Sequence, residues 1–320
     1  MASLGEAADK LSEREDRLES IRKKFEDVDS IEMGQAVKEQ FLSKKVGAAE
    51  AGTVAGVDGG LLKKRYSSGD IVATRAIAAI FDFTGETMEA SYYPSRSPEP
   101  DFTVYDAHES DSLDRNAESQ RLRDETSAVL GVLDETDRVF MDGSVVPSYL
   151  DDNSVLENYE KLFDKAEDGQ VAGVVEDSYG LKLASILQEK LGIEIGKIRD
   201  TLLMDVILEE GERSFVRKYS ASPVEHPVLQ ELEDRHVNRL FTFYVKLSSE
   251  DLPIRVDYFG TPEDADDIAG VMMKLMASRR YTAPSPVVEA DKRAKIPREY
   301  VKRLEKKFSP GLMRRERRMF

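Results

Sequence analysis

The chain alternates long apolar runs with amphipathic stretches, and their order predicts the architecture. Thr53–Gly60 reads as a buried strand and Asp70–Phe81 as a longer one. Thr84-Gly85-Glu86 marks a turn, Met88–Tyr93 a returning strand, and Pro94–Pro100 a loop. Residues from about 53 to 106 are therefore expected to open the domain as three antiparallel strands. Between 112 and 134, Leu122, Thr126, Val129, Leu130 and Leu133 share one face at the period of a helix. Arg138–Ser144 is a second apolar strand, Ser154–Ala166 a helix, Gln170–Val175 a short buried strand and Leu181–Leu191 another helix. Leu240–Leu247 and Ile254–Tyr258 are strand-like, and acidic Glu263–Asp267 caps a methionine-rich helix from Ile268 to Met276. Strands alternating with helices after an opening meander predict an α/β domain on a mixed sheet. Neither an internal repeat nor a long linker divides it.

Ahead of the first strand, residues 7–47 are polar and helix-prone, with Leu11, Leu18, Ile21, Phe25 and Val28 forming one apolar stripe. That stripe packs on its own domain or meets a second copy or partner. The expected division is a helical extension over 1–48, one α/β domain over 49–307 and a tail over 308–320.

Composition narrows the chemistry. Zero cysteines among 320 residues exclude disulfides, thiol nucleophiles and cysteinyl zinc. No stretch approaches the roughly 20 apolar residues of a membrane span, and the N-terminus has neither a basic start nor an apolar signal core, so a cytoplasmic location is expected. A net charge of −16 argues at first against nucleic acid, whose binding is largely electrostatic. The distribution changes that picture. From Lys292 to Phe320 there are twelve Lys/Arg and three Asp/Glu, a local balance of +9, which leaves −25 on residues 1–291. The tail adds apolar anchors such as Phe308, Leu312 and Phe320 to this charge. It reads either as a DNA- or partner-binding segment or as a frayed terminus. The acidic body suits a salt-rich cytoplasm, where repulsion is screened, or serves only for solubility.

Two of the apolar runs end in an aspartate followed by glycine, and so read as strand ends: Val57-Asp58-Gly59-Gly60 and Met141-Asp142-Gly143-Ser144. Each is expected to bring a carboxylate to the edge of the sheet, although Asp-Gly is also a common turn pair. Paired carboxylates are what divalent-metal phosphodiester hydrolysis requires, and oxygen donors suit Mg²⁺ or Mn²⁺. The helix between them offers a third acid. Asp124 points away from the apolar stripe, while Glu125 and Glu118 share its border, and geometry does not choose between those two. Lys63-Lys64-Arg65, Arg121 and Arg123 are candidate phosphate contacts; a solvated hairpin edge and surface charge are the alternatives. The histidines His108, His226 and His236 show no metal-ligand spacing, and no phosphate-binding glycine loop or nucleophile elbow is present.

The order strand-Asp, hairpin, helix-Glu, strand-Asp, late acid is that of the RNase H-like fold. The same residues resemble the NurA nucleases, DNA-end-processing enzymes of archaea and some bacteria. The resemblance covers roughly residues 50–300. It rests on Val57–Gly60, Arg121-Leu122-Arg123-Asp124-Glu125, Val139–Ser144, Asp200–Leu203 with Leu208–Ser214, and Pro284–Asp291. It implies an RNase H-like mixed sheet flanked by helices, with Asp58, Glu125, Asp142 and Asp291 as catalytic carboxylates holding Mn²⁺ or Mg²⁺. Its Arg-x-x-x-Glu pattern favours Glu125 over Glu118. It further implies 5′-to-3′ exonuclease and single-strand endonuclease activity on DNA ends. The implied setting is end resection for double-strand break repair, by a homodimer working with a hexameric HerA-type translocase.

Arg213 matches the arginine of the family's Gly-Glu-Arg segment, with a structural ion pair as the plainer reading. Ala283 stands where the family has an aromatic residue, and Tyr281 lies two positions earlier as a candidate substrate contact. Glu176-Asp177 stands where the family often has a lysine; these acids either join the site or, as the favoured reading, are solvated. Two other functions fit the same topology: an actin- or sugar-kinase-like ATPase, which needs a second related half, and a catalytically silent adaptor of a DNA translocase.

Overall fold

A computed structural model describes residues 4–26, 28, 39–66, 69–106, 113–149, 152–176, 178, 180–192, 194–220 and 226–306. Helix α1 (Leu4–Phe25) precedes a short strand β1 (Ser43–Lys45) and the long hairpin of β2 (Thr53–Tyr66) and β3 (Gly69–Asp82). Strands β4 (Glu89–Tyr93) and β5 (Asp101–Tyr105) both pair with β3, so the opening meander has one strand more than expected. Helix α2 (Leu113–Val132), β6 (Arg138–Asp142), α3 (Asn153–Lys165), β7 (Val171–Val175) and α4 (Lys182–Leu191) follow close to the expected bounds. Helix α5 (Asp200–Ile207) leads into β8 (Glu212–Ser214) and β9 (Arg217–Lys218), then α6 (Asp234–Val237), β10 (Leu240–Lys246) and β11 (Ile254–Phe259). The chain closes with α7 (Ala265–Leu275), the small hairpin of β12 (Met276–Ser278) and β13 (Tyr281–Pro284), α8 (Ser285–Ala294) and α9 (Arg298–Glu305). The tail 308–320 and His108 lie outside the described residues.

One mixed sheet runs β1-β8-β10-β11-β7-β6-β2-β3-β4, with β5 on β3 and β9 on β10. Within it, β2, β6 and β7 are parallel while β3, β4 and β5 are antiparallel to their neighbours. The order β4-β3-β2-β6-β7, with a helix after the meander and another between β6 and β7, is the RNase H-like core. The far side, β8, β10 and β11, is antiparallel. The described residues therefore hold no second copy of that core, as a kinase-like ATPase would need.

The faces of β2 separate cleanly, because successive side chains alternate. Ala55 and Val57 look into the core under α2 and α3 with Val139, Met141 and Val171. Val54 looks the other way, with Phe140, Ala172 and Val287, into the core under α7 and α8. Helix α1 does not stand apart. Ile21 and Phe25 are buried with Leu183, Leu187, Leu203 and Met204 of α4 and α5, while Leu11 remains exposed. The segment expected to be helical up to 47 also contains β1, which pairs with β8 and extends the sheet.

Candidate metal centre

Asp58 does not end its strand. β2 continues to Tyr66, paired throughout with β3. What ends there is the neighbour: β6 runs parallel to β2 with Val57 opposite Met141, so Asp58 and Asp142 stand at the next level, on the same face, where β6 stops. Gly143 then takes φ +94°, a left-handed turn that favours glycine. Gly173 of β7 lets the 143–145 turn lie directly against it, since a Cβ there would overlap that backbone.

The third carboxylate comes from α8. On the face of β2 that carries Asp58, Cβ atoms at Gly56 and Gly60 would overlap the Pro286–Val287 backbone and the Ala294 carbonyl. Two missing side chains at i−2 and i+2 from Asp58 thus seat α8 on bare strand, and Asp291 arrives beside Asp58. Arg75 of β3, buried, fixes the far end of that helix by donating from Nε to the Ala294 carbonyl at 3.0 Å and from a terminal nitrogen to that of Lys295. Ligand oxygens of Asp58, Asp142 and Asp291 all lie within 4.8 Å of one another.

Glu125 approaches from the opposite face of the sheet. Gly59 leaves the gap it fills, with its Oε2 only 3.2 Å from where a Cβ would stand. It is 2% exposed, and Arg121 Nη1 donates to it at 2.6 Å. The same guanidinium donates from Nε and Nη2 to Glu118, at 3.1 and 2.6 Å. Glu125 and Glu118 are thus both on Arg121, but only Glu125 is buried against β2. Asp124, expected to face solvent, is half-buried because α2 also lies on β3, against Thr74.

Crowded acids resist ionisation. Burial first, then the charges of Asp142 and Asp291, push Asp58 up to about 6. Burial, then Glu176 and Asp291, push Asp142 to about 6 as well. Burial pushes Glu125 to about 8, against the pull of Arg121. Lys295, four residues beyond Asp291 on the helix, donates to it at 2.6 Å and is held charged by that bond and by Asp58 and Asp142. This lysine was missed in the sequence, although the i,i+4 spacing from an acid in a helix would have flagged it.

The remaining candidates separate. Tyr281 sits at the rim, 41% exposed, hydrogen-bonded to Glu176 and within the field of Asp142 and Asp291. Glu176 is therefore part of the site and not a solvated charge; Asp177 lies outside the described residues. Ala283 is buried. Lys63 and Arg65 reach Asp114 of α2 at 2.6 and 3.6 Å, five and seven residues along β2 from Asp58, and Lys64 points to the other face. Arg123 binds Asp152. Arg213 is 1% exposed and its guanidinium is committed to Glu39 and Asp266, a structural ion pair that presents nothing to a substrate. His236 is buried between Glu160 and Asp164. A cavity of about 260 Å³ adjoins Asp142 and Glu125, lined also by Ser144, Tyr159, Tyr219 and Arg255.

Three carboxylates with oxygen-only donors, drawn together against their own repulsion, fit a hard divalent cation. The NurA domain model matches residues 52–296. The structure is similar to the crystal structure of the NurA nuclease from Sulfolobus solfataricus, with a TM-score of 0.64 at 15% identity, covering 95% of this chain and 94% of that one. It is also similar to a crystal structure of NurA with manganese (TM-score 0.54, 12% identity, 94% and 97% covered) and to one of NurA bound to dAMP and manganese (0.50, 12%, 97% and 98%). At these identities the structural matches speak for the fold. No curated protein sequence matches the chain.

Proposed function

The chain belongs to the NurA family, and from that premise we propose that it is a divalent-metal-dependent deoxyribonuclease. The observation that carries this reading is the convergence of Asp58, Asp142 and Asp291 from two strands and a helix. These three would hold Mn²⁺ or Mg²⁺, with Glu125 behind Gly59 as the fourth acid. A bound ion of this kind supplies Lewis acidity that makes water nucleophilic and stabilises a departing oxygen. The chain's own residues do the rest. Arg121 and Lys295 place positive charge on either side of the cluster, where a phosphodiester must lie against four acids. Lys295, whose side chain is 71% exposed and donates to Asp291, is placed to donate to a non-bridging phosphate oxygen as well. Tyr281, fixed by Glu176, borders the path of the strand, and the cavity beside Asp142 receives the nucleotide next to the scissile bond.

The finer reading is 5′-to-3′ exonuclease and single-strand endonuclease action on DNA ends in double-strand break repair. In it the enzyme works as a cytoplasmic homodimer with a hexameric HerA-type translocase. The test is cleavage of end-labelled single- and double-stranded DNA with Mn²⁺, with Mg²⁺ and in chelator, comparing the unaltered protein with Asp142→Asn. Cleavage needing a divalent ion and falling at least a hundredfold in the variant is expected; a variant of full activity would sink the assignment. Adding a HerA-type hexamer tests the partnership.

A further inference from the structure

The acidic body carries one strongly basic surface next to the cluster. It begins at Lys295 and continues up α9, a helix beyond the residues matched by the family model. Arg298, Lys302, Arg303 and Lys306 are all exposed, Glu299 is the one exposed acid among the described residues of α9, and half-buried Glu305 borders the stripe. A rise of 1.5 Å per residue spaces Arg298, Lys302 and Lys306 about 6 Å apart along one stripe. Among the described residues no acid pairs with those three. The other face of α9, with Tyr300 and Val301, is half-buried, and Glu305 accepts a hydrogen bond from the Tyr66 hydroxyl at 3.1 Å. That bond gives the ridge a direction. Tyr66 is eight residues beyond Asp58 on β2, about 26 Å at 3.3 Å per residue. The ridge therefore runs from the carboxylates along the distal half of the strand that carries Asp58.

We propose that the exposed face of α9, with Lys295 at its foot, holds the phosphate backbone of the DNA strand that threads into the carboxylate cluster. The inference rests on the nuclease reading for what happens at the cluster, but not for the binding itself. Physical need supports it: a strand approaching four acids on a body of net negative charge is repelled, and exposed cations beside the cluster offset that repulsion. Cations presented by an exposed helix face track a backbone without reading bases, as an end-processing enzyme requires.

The test is fluorescence anisotropy with a labelled single-stranded oligonucleotide in chelator, between 50 and 300 mM salt. The unaltered protein is compared with Arg298→Gln/Lys302→Gln/Lys306→Gln and with Lys161→Gln/Lys165→Gln/Lys190→Gln, which removes equal charge from exposed positions on α3 and α4. The ridge variant is expected to bind at least tenfold more weakly, with a salt slope shallower by about 2, since each lost phosphate contact lowers it by about 0.7. The control variant keeps both affinity and slope to within twofold. Equal loss in the two variants, or no loss in either, overturns the proposal. So does a ridge variant that keeps its DNA affinity but loses binding to anionic phospholipid vesicles. Separately, bis(p-nitrophenyl) phosphate hydrolysis by the unaltered protein with Mn²⁺ reports on the nuclease reading, and its failure leaves the binding result intact.

Discussion

Asp58 resists its own ionised state, because burial and the charges of Asp142 and Asp291 hold its carboxyl up at about 6, against an ordinary value near 4. The folded protein therefore binds more protons than the unfolded chain between about pH 4 and 6. Stability from Asp58 and Asp142 is fully present below that window and is lost as pH rises through it. In chelator the melting temperature should fall between pH 5 and 7.5, and Asp58→Asn should flatten that fall while raising the value at pH 7.5. Mn²⁺, binding only the folded state, should raise the melting temperature of the unaltered protein at pH 7.5 and not that of the variant. A variant still stabilised by Mn²⁺ would show that the cluster is not where the ion sits. At this scale Asp58 and Asp142 were legible, because an aspartate-glycine pair interrupting an apolar run is a local signal. The role of Arg121 as the partner of Glu125 was not, since nothing in a helical Arg-x-x-x-Glu says which face of a distant strand carries glycine. Lys295 escaped for a similar reason: its meaning depends on Asp291 being near Asp58.

Helix α8 shows how an element, and not a residue, completes the site. Gly56 and Gly60 leave the surface it lies on, and Arg75 ties down its end. Gly60→Ala forces a methyl into the Ala294 carbonyl, so α8 must lift. Overpacking of this kind typically costs about 1–3 kcal/mol, and Asp291 moves away from Asp58 with the helix. The expected outcome is a lower denaturant midpoint together with at least tenfold weaker Mn²⁺ binding by isothermal titration calorimetry. The same substitution at exposed Gly192, which takes φ +65°, should lower stability alone. Equal metal affinity in the two variants would mean that α8 does not depend on β2 for its seat. The meander, α2, β6 and α3 were readable from hydrophobic period, because each is long or strongly alternating. β8, β9, β12 and β13 were not, being two to four residues long. The sequence between Pro284 and Asp291 carried the family's motif without showing a helix, and its strand partner emerges only once the sheet is assembled. Asp58 was misplaced at a strand end because the hairpin keeps β2 paired long after its parallel neighbour stops.

On the scale of the whole molecule, the N-terminal segment decides whether the chain is a nuclease core with an appendage or one body. The apolar stripe of α1 allowed both, since a helix face reads the same whether its partner is internal or external. At its outer part Leu11 is exposed, while its inner part is core. Phe25 and Ile21 pack among α4 and α5, and Lys24 donates to the Glu194 carbonyl at 2.7 Å. Leu42 joins the same cluster just before β1 takes its place beside β8, so the sheet itself extends into the extension. This cluster lies under the antiparallel half, away from the carboxylates. Phe25→Ala should then cost about 3–5 kcal/mol, the usual range for removing a buried phenyl ring. It should do so in a single cooperative transition, with Mn²⁺ affinity at 25 °C within twofold of the unaltered protein. A loss below about 1 kcal/mol, or a separate early transition for the first 48 residues in calorimetry, would instead make α1 an independent arm. The single transition follows from where the ring sits: α5 leads directly into β8, β8 pairs with β10, and β10 is continuous through β11 and β7 with the strand that carries Asp142.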